Sequence, residues 1–158
     1  MHIAFDTYHD YDALTAHLQA LAAAYPRLAT LRSIAKSHRG RDVWAMEITN
    51  PDTGPGSDKP AFYIDAQIHA EEHATSATAL YAIHHLLTQY GTDEEVTRLV
   101  DQQVFHIIPR INPDGAEFAL KAPYHPWCGN GRFLPGEDRL DGLIPQDIDG
   151  DGFIVNMR

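Results

Sequence analysis

Apolar residues recur at helical spacing along residues 10–25, where Leu14, Leu18, Leu21 and Tyr25 share one side and Pro26 stops the pattern. Two short runs rich in β-formers follow, at 30–36 and 42–49. The polar stretch Ser37-His38-Arg39-Gly40-Arg41 joins them, so they read as a hairpin. Residues 50–60, NPDTGPGSDKP, are dense in Gly and Pro and read as a surface loop. The run 61–68, AFYIDAQI, is apolar and of strand length, interrupted by Asp65. A helix is predicted from about 74 to 90, with Ala77, Leu80, Tyr81, His84 and Leu87 on one face. Thr92-Asp93-Glu94-Glu95 has the capping-box form and opens a short helix ending near Gln102. Residues 103–109, QVFHIIP, form a second apolar strand, and Asn112-Pro113-Asp114-Gly115 is a turn signal. From about residue 122 Pro, Gly and Asp dominate, and no periodic segment is long enough to assign. The order hairpin, strand, helix, helix, strand predicts an α/β layered domain with a mixed sheet.

Composition narrows the function classes. The 158 residues suit one domain, and 44% hydrophobic with 22% charged residues is an ordinary globular mix. No apolar run reaches the roughly 18 residues of a membrane span, so no membrane partner is expected. The formal net charge of −10 argues against nucleic acid, whose phosphates it would repel. The N-terminus, MHIAFDTYHDYD, lacks the basic-then-apolar order of a signal peptide, and Cys128 is the one cysteine, so a cytoplasmic location is the default expectation. Cys128 reads as a small, partly buried apolar residue.

The chemistry-bearing motif follows the strand-like run 61–68: His69-Ala70-Glu71-Glu72-His73. His69 and Glu72 are three apart, so one turn of chain can aim both at one ion. Zinc accepts imidazole nitrogen and carboxylate oxygen at about 2.0–2.2 Å, and a hydrolytic zinc keeps three protein ligands and a water. Ligands in α/β sheets gather beyond the carboxyl ends of strands, which is where this pair falls. H-x-x-E by itself is common, and an acidic, solvated helix start explains it equally well.

The surroundings add specificity. AFYIDAQIHAEEHATSATALYAIHHLL, followed by FHIIPRINPDG at 105–115, resembles the N-terminal half of the zinc carboxypeptidase family. That family shows an apolar strand, H-x-x-E, a helix, then a strand ending in P-x-x-N-P-D-G, matched here by Pro109, Asn112, Pro113, Asp114 and Gly115. The Gly40-Arg41 turn is similar as well, and the resemblance covers residues 11–115. It implies a three-layer α/β/α sandwich in which the strand ending at Pro109 lies between the hairpin and the strand ending at Ile68. It implies His69 and Glu72 as the first two zinc ligands, and peptide or protein C-termini as substrate. It places the third ligand, the general-base glutamate and the Asn-Arg pair that grips the substrate carboxylate beyond Arg158. Residues 1–158 are therefore expected to form a single partial domain, to bind zinc weakly and catalyse little alone, and to self-associate through an open sheet edge.

Other features compete. His73 completes H-x-x-E-H, the inverzincin pattern, in which both histidines bind zinc from one helix face; a first-turn helix residue is the plainer expectation. Zinc hydrolases of N-acyl amino acids share the H-x-x-E start. Asp147, Asp149 and Asp151 match the front of a calcium loop, although position 12 is Arg158 and not glutamate; this raises a non-catalytic, calcium-stabilised interaction module. Arg132, in Asn130-Gly131-Arg132, stands where the resemblance places an oxyanion-stabilising arginine. His84, His85, His106, Trp44 and Trp127 read as structural or solvated.

Overall fold

The computed structural model describes residues 3–121, 129 and 147–152. Helix α1, Tyr11–Ala24, starts where the Asp10 carboxylate accepts from the Ala13 amide at 2.9 Å and buries Leu14, Leu18 and Leu21. Strands β1, Ala29–Lys36, and β2, Asp42–Ile48, form the expected hairpin. Two short 3₁₀ turns lead to β3, Ala61–Asp65. Then come α2, His73–Gln89, α3, Glu94–Gln102, β4, Val104–Ile108, and α4, Pro113–Lys121. The sheet order is β1-β2-β4-β3, antiparallel except for the parallel β3–β4 pair. The expected placement of the second apolar strand, between the hairpin and the first, is met.

One face of the sheet holds the core. Strand alternation aims Met46 and Ile48 of β2 and Phe105 and Ile107 of β4 at the same side, opposite one another in register. Helices α1, α2 and α3 cover that side with Leu18, Leu21, Leu80, Ile83, Leu87, Val96 and Val100. Trp44 fastens α1 to β2, its indole N–H donating to Thr15 Oγ1 at 3.1 Å. No helix among the described residues is long and apolar enough to cross a membrane.

Four local expectations shift. Strand β3 stops at Asp65, three residues early, and Gln67 at φ 53° has left regular strand geometry. Helix α2 buries Ser76, Ala79, Leu80, Ile83, Leu86 and Leu87, a stripe rotated from the expected one. Leu80 and Leu87 belong to both stripes, but the branched Ile83 and Leu86 win the core, leaving Tyr81 exposed with its ring 5.2 Å from that of Phe5. At α3 the cap is Asp93, which accepts from the Val96 amide at 3.0 Å, and not Thr92, whose amide closes the preceding turn onto the Gln89 carbonyl. Glu95 pairs with Arg98 at 2.6 Å instead of reaching back. Finally, Asn112-Pro113-Asp114-Gly115 opens α4: Asn112 Oδ1 accepts from the Gly115 amide at 2.9 Å, with Pro113 at the first helical position.

Leu18 is fully buried at the centre of α1. Leu18→Ala is expected to lower unfolding free energy by about 2–5 kcal/mol in urea denaturation. Among the described residues strand β3 is a sheet edge, with Phe62 and Tyr63 more than half exposed. Light scattering should therefore show mass rising with concentration, and a monomer mass at every concentration refutes this.

Candidate functional site

The turn 66–73 leaves the carboxyl end of β3 and enters α2. Its backbone does not float. The Ala66 amide donates to the Ile108 carbonyl at 3.0 Å, the Ile111 amide to Ala66 at 2.9 Å, and the Asn112 amide to Gln67 at 3.1 Å. These bonds continue the parallel β3–β4 ladder past both strand ends. The Asn112 side chain adds a bond to the Ile68 carbonyl at 3.2 Å. Thr75, in the first turn of α2, accepts from the Gln67 amide at 3.0 Å and donates to the Glu72 carbonyl at 2.7 Å. The turn is thus held by β4, α4 and α2 together.

On this base His69 and Glu72 both project into solvent. The Glu72 amide donates to the His69 carbonyl at 3.4 Å, which closes the single turn between them. Among the described residues neither side chain is spent in a hydrogen bond or ion pair, so both remain available as ligands. Their donor set, one imidazole nitrogen and one carboxylate oxygen, suits zinc. No described third His, Cys, Asp or Glu converges with them.

His73 takes a different part. It is the first residue of α2, so His69 lies outside the helix that the inverzincin arrangement requires. Its Nδ1 is 2.7 Å from the Gln67 side-chain nitrogen, and its ring packs 5.5 Å from that of Tyr8. The structure supports the first-turn reading of His73 over a second helical ligand.

The base of the site joins two motifs far apart in sequence. Asp114, buried in the first turn of α4, accepts from Ser37 Oγ at 2.9 Å, the Arg39 amide at 2.8 Å and the Arg41 guanidinium at 2.7 Å. Burial pushes its carboxyl up, but these three donors outweigh burial and hold it below its ordinary value of 3.8. Gly40, at φ 79°, lets the 37–41 turn close beneath it. Gly115 has no room for a side chain: a Cβ would clash with the Gly129 carbonyl and lie 2.5 Å from Asn112 Nδ2.

Asp147, Asp149 and Asp151 bring ligand atoms within 4.8 Å of one another and are exposed. Asp147 already accepts from the Gly150 and Gly152 amides at 2.7 and 2.9 Å, so the loop's own backbone accounts for its shape. Arg132, Cys128 and Trp127 lie outside the described residues. His106 sits on the sheet face away from the core, 3.7 Å from Glu47. Sequence reasoning missed the roles of Gln67, Thr75 and Asp114. The Asn-Pro pair was a readable cap signal for α4; nothing in the sequence marked Gln67.

Comparison with known proteins agrees with this layout. The family model described as "Zinc carboxypeptidase" matches residues 14–141. Carboxypeptidase B of Astacus astacus is 36% identical over 114 residues, 72% of this chain and 35% of that protein. Carboxypeptidase D of Drosophila melanogaster is 34% identical over 117 residues, 72% of this chain and 8% of that protein. The crystal structure of carboxypeptidase A from Helicoverpa armigera superposes with a TM-score of 0.67 at 30% identity, covering 75% of this chain and 28% of that one. The chain spans about a third or less of the length of each.

Because its folded-state carboxyl is depressed, Asp114 contributes stability that is present above pH 3.8 and lost as pH falls through its lower folded value. Asp114→Asn is expected to be less stable at pH 7 by roughly 1.5–3 kcal/mol, the usual range for a hydrogen bond to a charged group. Chemical unfolding across pH should show the two proteins converging in acid. Parallel profiles would remove the assigned role.

Proposed function

This chain belongs to the zinc carboxypeptidase family, and on that premise we propose that it contributes His69 and Glu72 as ligands to a hydrolytic zinc that cleaves C-terminal peptide bonds. One observation supports this most directly: an uncommitted imidazole and an uncommitted carboxylate stand one turn apart beyond the end of a parallel strand, on a turn fastened from three sides. Such a base lets the ligands meet a metal with little reordering.

Bound zinc supplies a Lewis acid for the scissile carbonyl and acidifies a water toward a pKa of about 7. His69 and Glu72 would hold that ion through one imidazole nitrogen and one carboxylate oxygen. The third ligand comes from residues other than those described. The two ligands of the described turn would by themselves hold zinc weakly. The substrate is a peptide or protein C-terminus, and a small N-acyl amino acid presents the same amide chemistry.

Titration calorimetry with zinc is expected to give a single-site heat for the chain that disappears in His69→Ala and in Glu72→Gln, with circular dichroism unchanged. Hydrolysis assays on a C-terminal dipeptide and on an N-acyl amino acid rank the substrates. Full zinc affinity in both variants would overturn the ligand assignment.

A further inference from the structure

Beneath the exposed pair lies a fully buried polar group. Gln67 is 1% exposed, and its φ of 53° lies in a region that L side chains disfavour. A residue persists there when its surroundings over-determine it, and here they do. Its side-chain oxygen accepts from Arg110 Nε at 2.7 Å, while its nitrogen lies 3.2 Å from the Ala70 carbonyl and 2.7 Å from His73 Nδ1. Arg110 can only donate, so the amide oxygen must face it and the NH₂ must face the other two. His73 Nδ1 is then an acceptor, and its proton sits on Nε2.

Arg110 is itself 5% exposed. Its Nη2 donates to the His9 carbonyl at 2.8 Å, and Nη1 lies 3.9 Å from Glu117 Oε1. Burial draws the guanidinium down to about 10, which still leaves it a cation at neutral pH. The chain of contacts runs from the N-terminal segment and α4, through Arg110 and Gln67, to Ala70. Ala70 lies within the single turn that separates His69 from Glu72.

We propose that Gln67 and Arg110 are positioning residues that hold the turn bearing His69 and Glu72 in ligand geometry before any metal arrives. The ligand part of this rests on the zinc reading above; the hold on the turn does not. Neither residue faces the ion. They act through the Ala70 carbonyl and the His73 ring, and they explain why a long polar side chain occupies a backbone conformation that suits glycine.

Two variants test this in the 158-residue chain. Gln67→Gly relieves the backbone and deletes the bridge. Gln67→Glu keeps the volume and an acceptor for Arg110 but sets an oxygen against the Ala70 carbonyl and His73 Nδ1. Amide hydrogen exchange is read without metal, and cobalt affinity and visible absorption are read with it. The expected result is faster exchange at the Glu72 and His73 amides while those of α1, α2 beyond its first turn, and β4 keep their protection. Cobalt should bind about 10–100-fold more weakly with a shifted spectrum. Unchanged turn amides in a folded variant overturn the proposal. So does uniform loss of protection in Gln67→Glu, which would mean packing alone. If Gln67→Gly does not fold, Gln67→Glu decides. Failure of the wild-type chain to take up cobalt would count against the zinc reading and leave the exchange result standing.

Discussion

Parallel pairing between β3 and β4 does not stop where the strands end. Ala66 and Gln67 keep exchanging backbone hydrogen bonds with Ile108, Ile111 and Asn112 after both chains have left regular strand geometry. Unpaired backbone groups at a buried strand end carry a penalty of the order of a lost hydrogen bond each, so this extension is what lets the turn sit against the core. Everything at the candidate site hangs from it. The Ile111 and Asn112 amides that complete the pairing also lead directly into α4, so the same few residues end one strand, brace one turn and cap one helix.

Buried charge is concentrated beside that junction. Asp114 lies in the first turn of α4, where the helix N-terminus favours negative charge, and Glu117 lies buried at the middle of the same helix. Glu117 also accepts from the Tyr11 amide at 2.7 Å, serving an orphan donor at the start of α1, and pairs with Lys121 at 2.6 Å. Arg41 and Arg110 supply the opposing sign. Replacing one member strands its partner in low dielectric, so these groups define the arrangement of α1, α4 and the 37–41 turn more than they add net stability. In a chain of net charge −10, the two arginines are placed where acid is buried.

The contrast with the exposed face is functional. Among the described residues, the His69 and Glu72 side chains are solvated and uncommitted, whereas Gln67 and Arg110 one layer below them are buried and hydrogen-bonded to each other. A rigid base under free ligands reduces the ordering that metal binding must impose, and it fixes the direction in which both side chains leave the backbone. Membership of the zinc carboxypeptidase family gives that arrangement its chemical meaning.

Periodicity and punctuation in the sequence determined most of the elements. Leu14, Leu18 and Leu21 define the buried face of α1, the β-former-rich and apolar runs define the strands, and Pro26 and the 50–60 loop separate them. The motif resemblance placed β4 between the hairpin and β3 and singled out His69 and Glu72. Only the tertiary structure decided which stripe of α2 is buried, because period fixes a face's width and not its rotation toward a neighbour. It alone showed that the 37–41 turn and the Asn-Pro-Asp-Gly segment form one hydrogen-bonded unit through Arg41 and Asp114, 73 residues apart. It alone revealed Gln67 and Arg110, 43 residues apart, beneath the site. Such pairs obey no local spacing rule. They exist because folding brings distant polar groups out of water together, where each must find a partner.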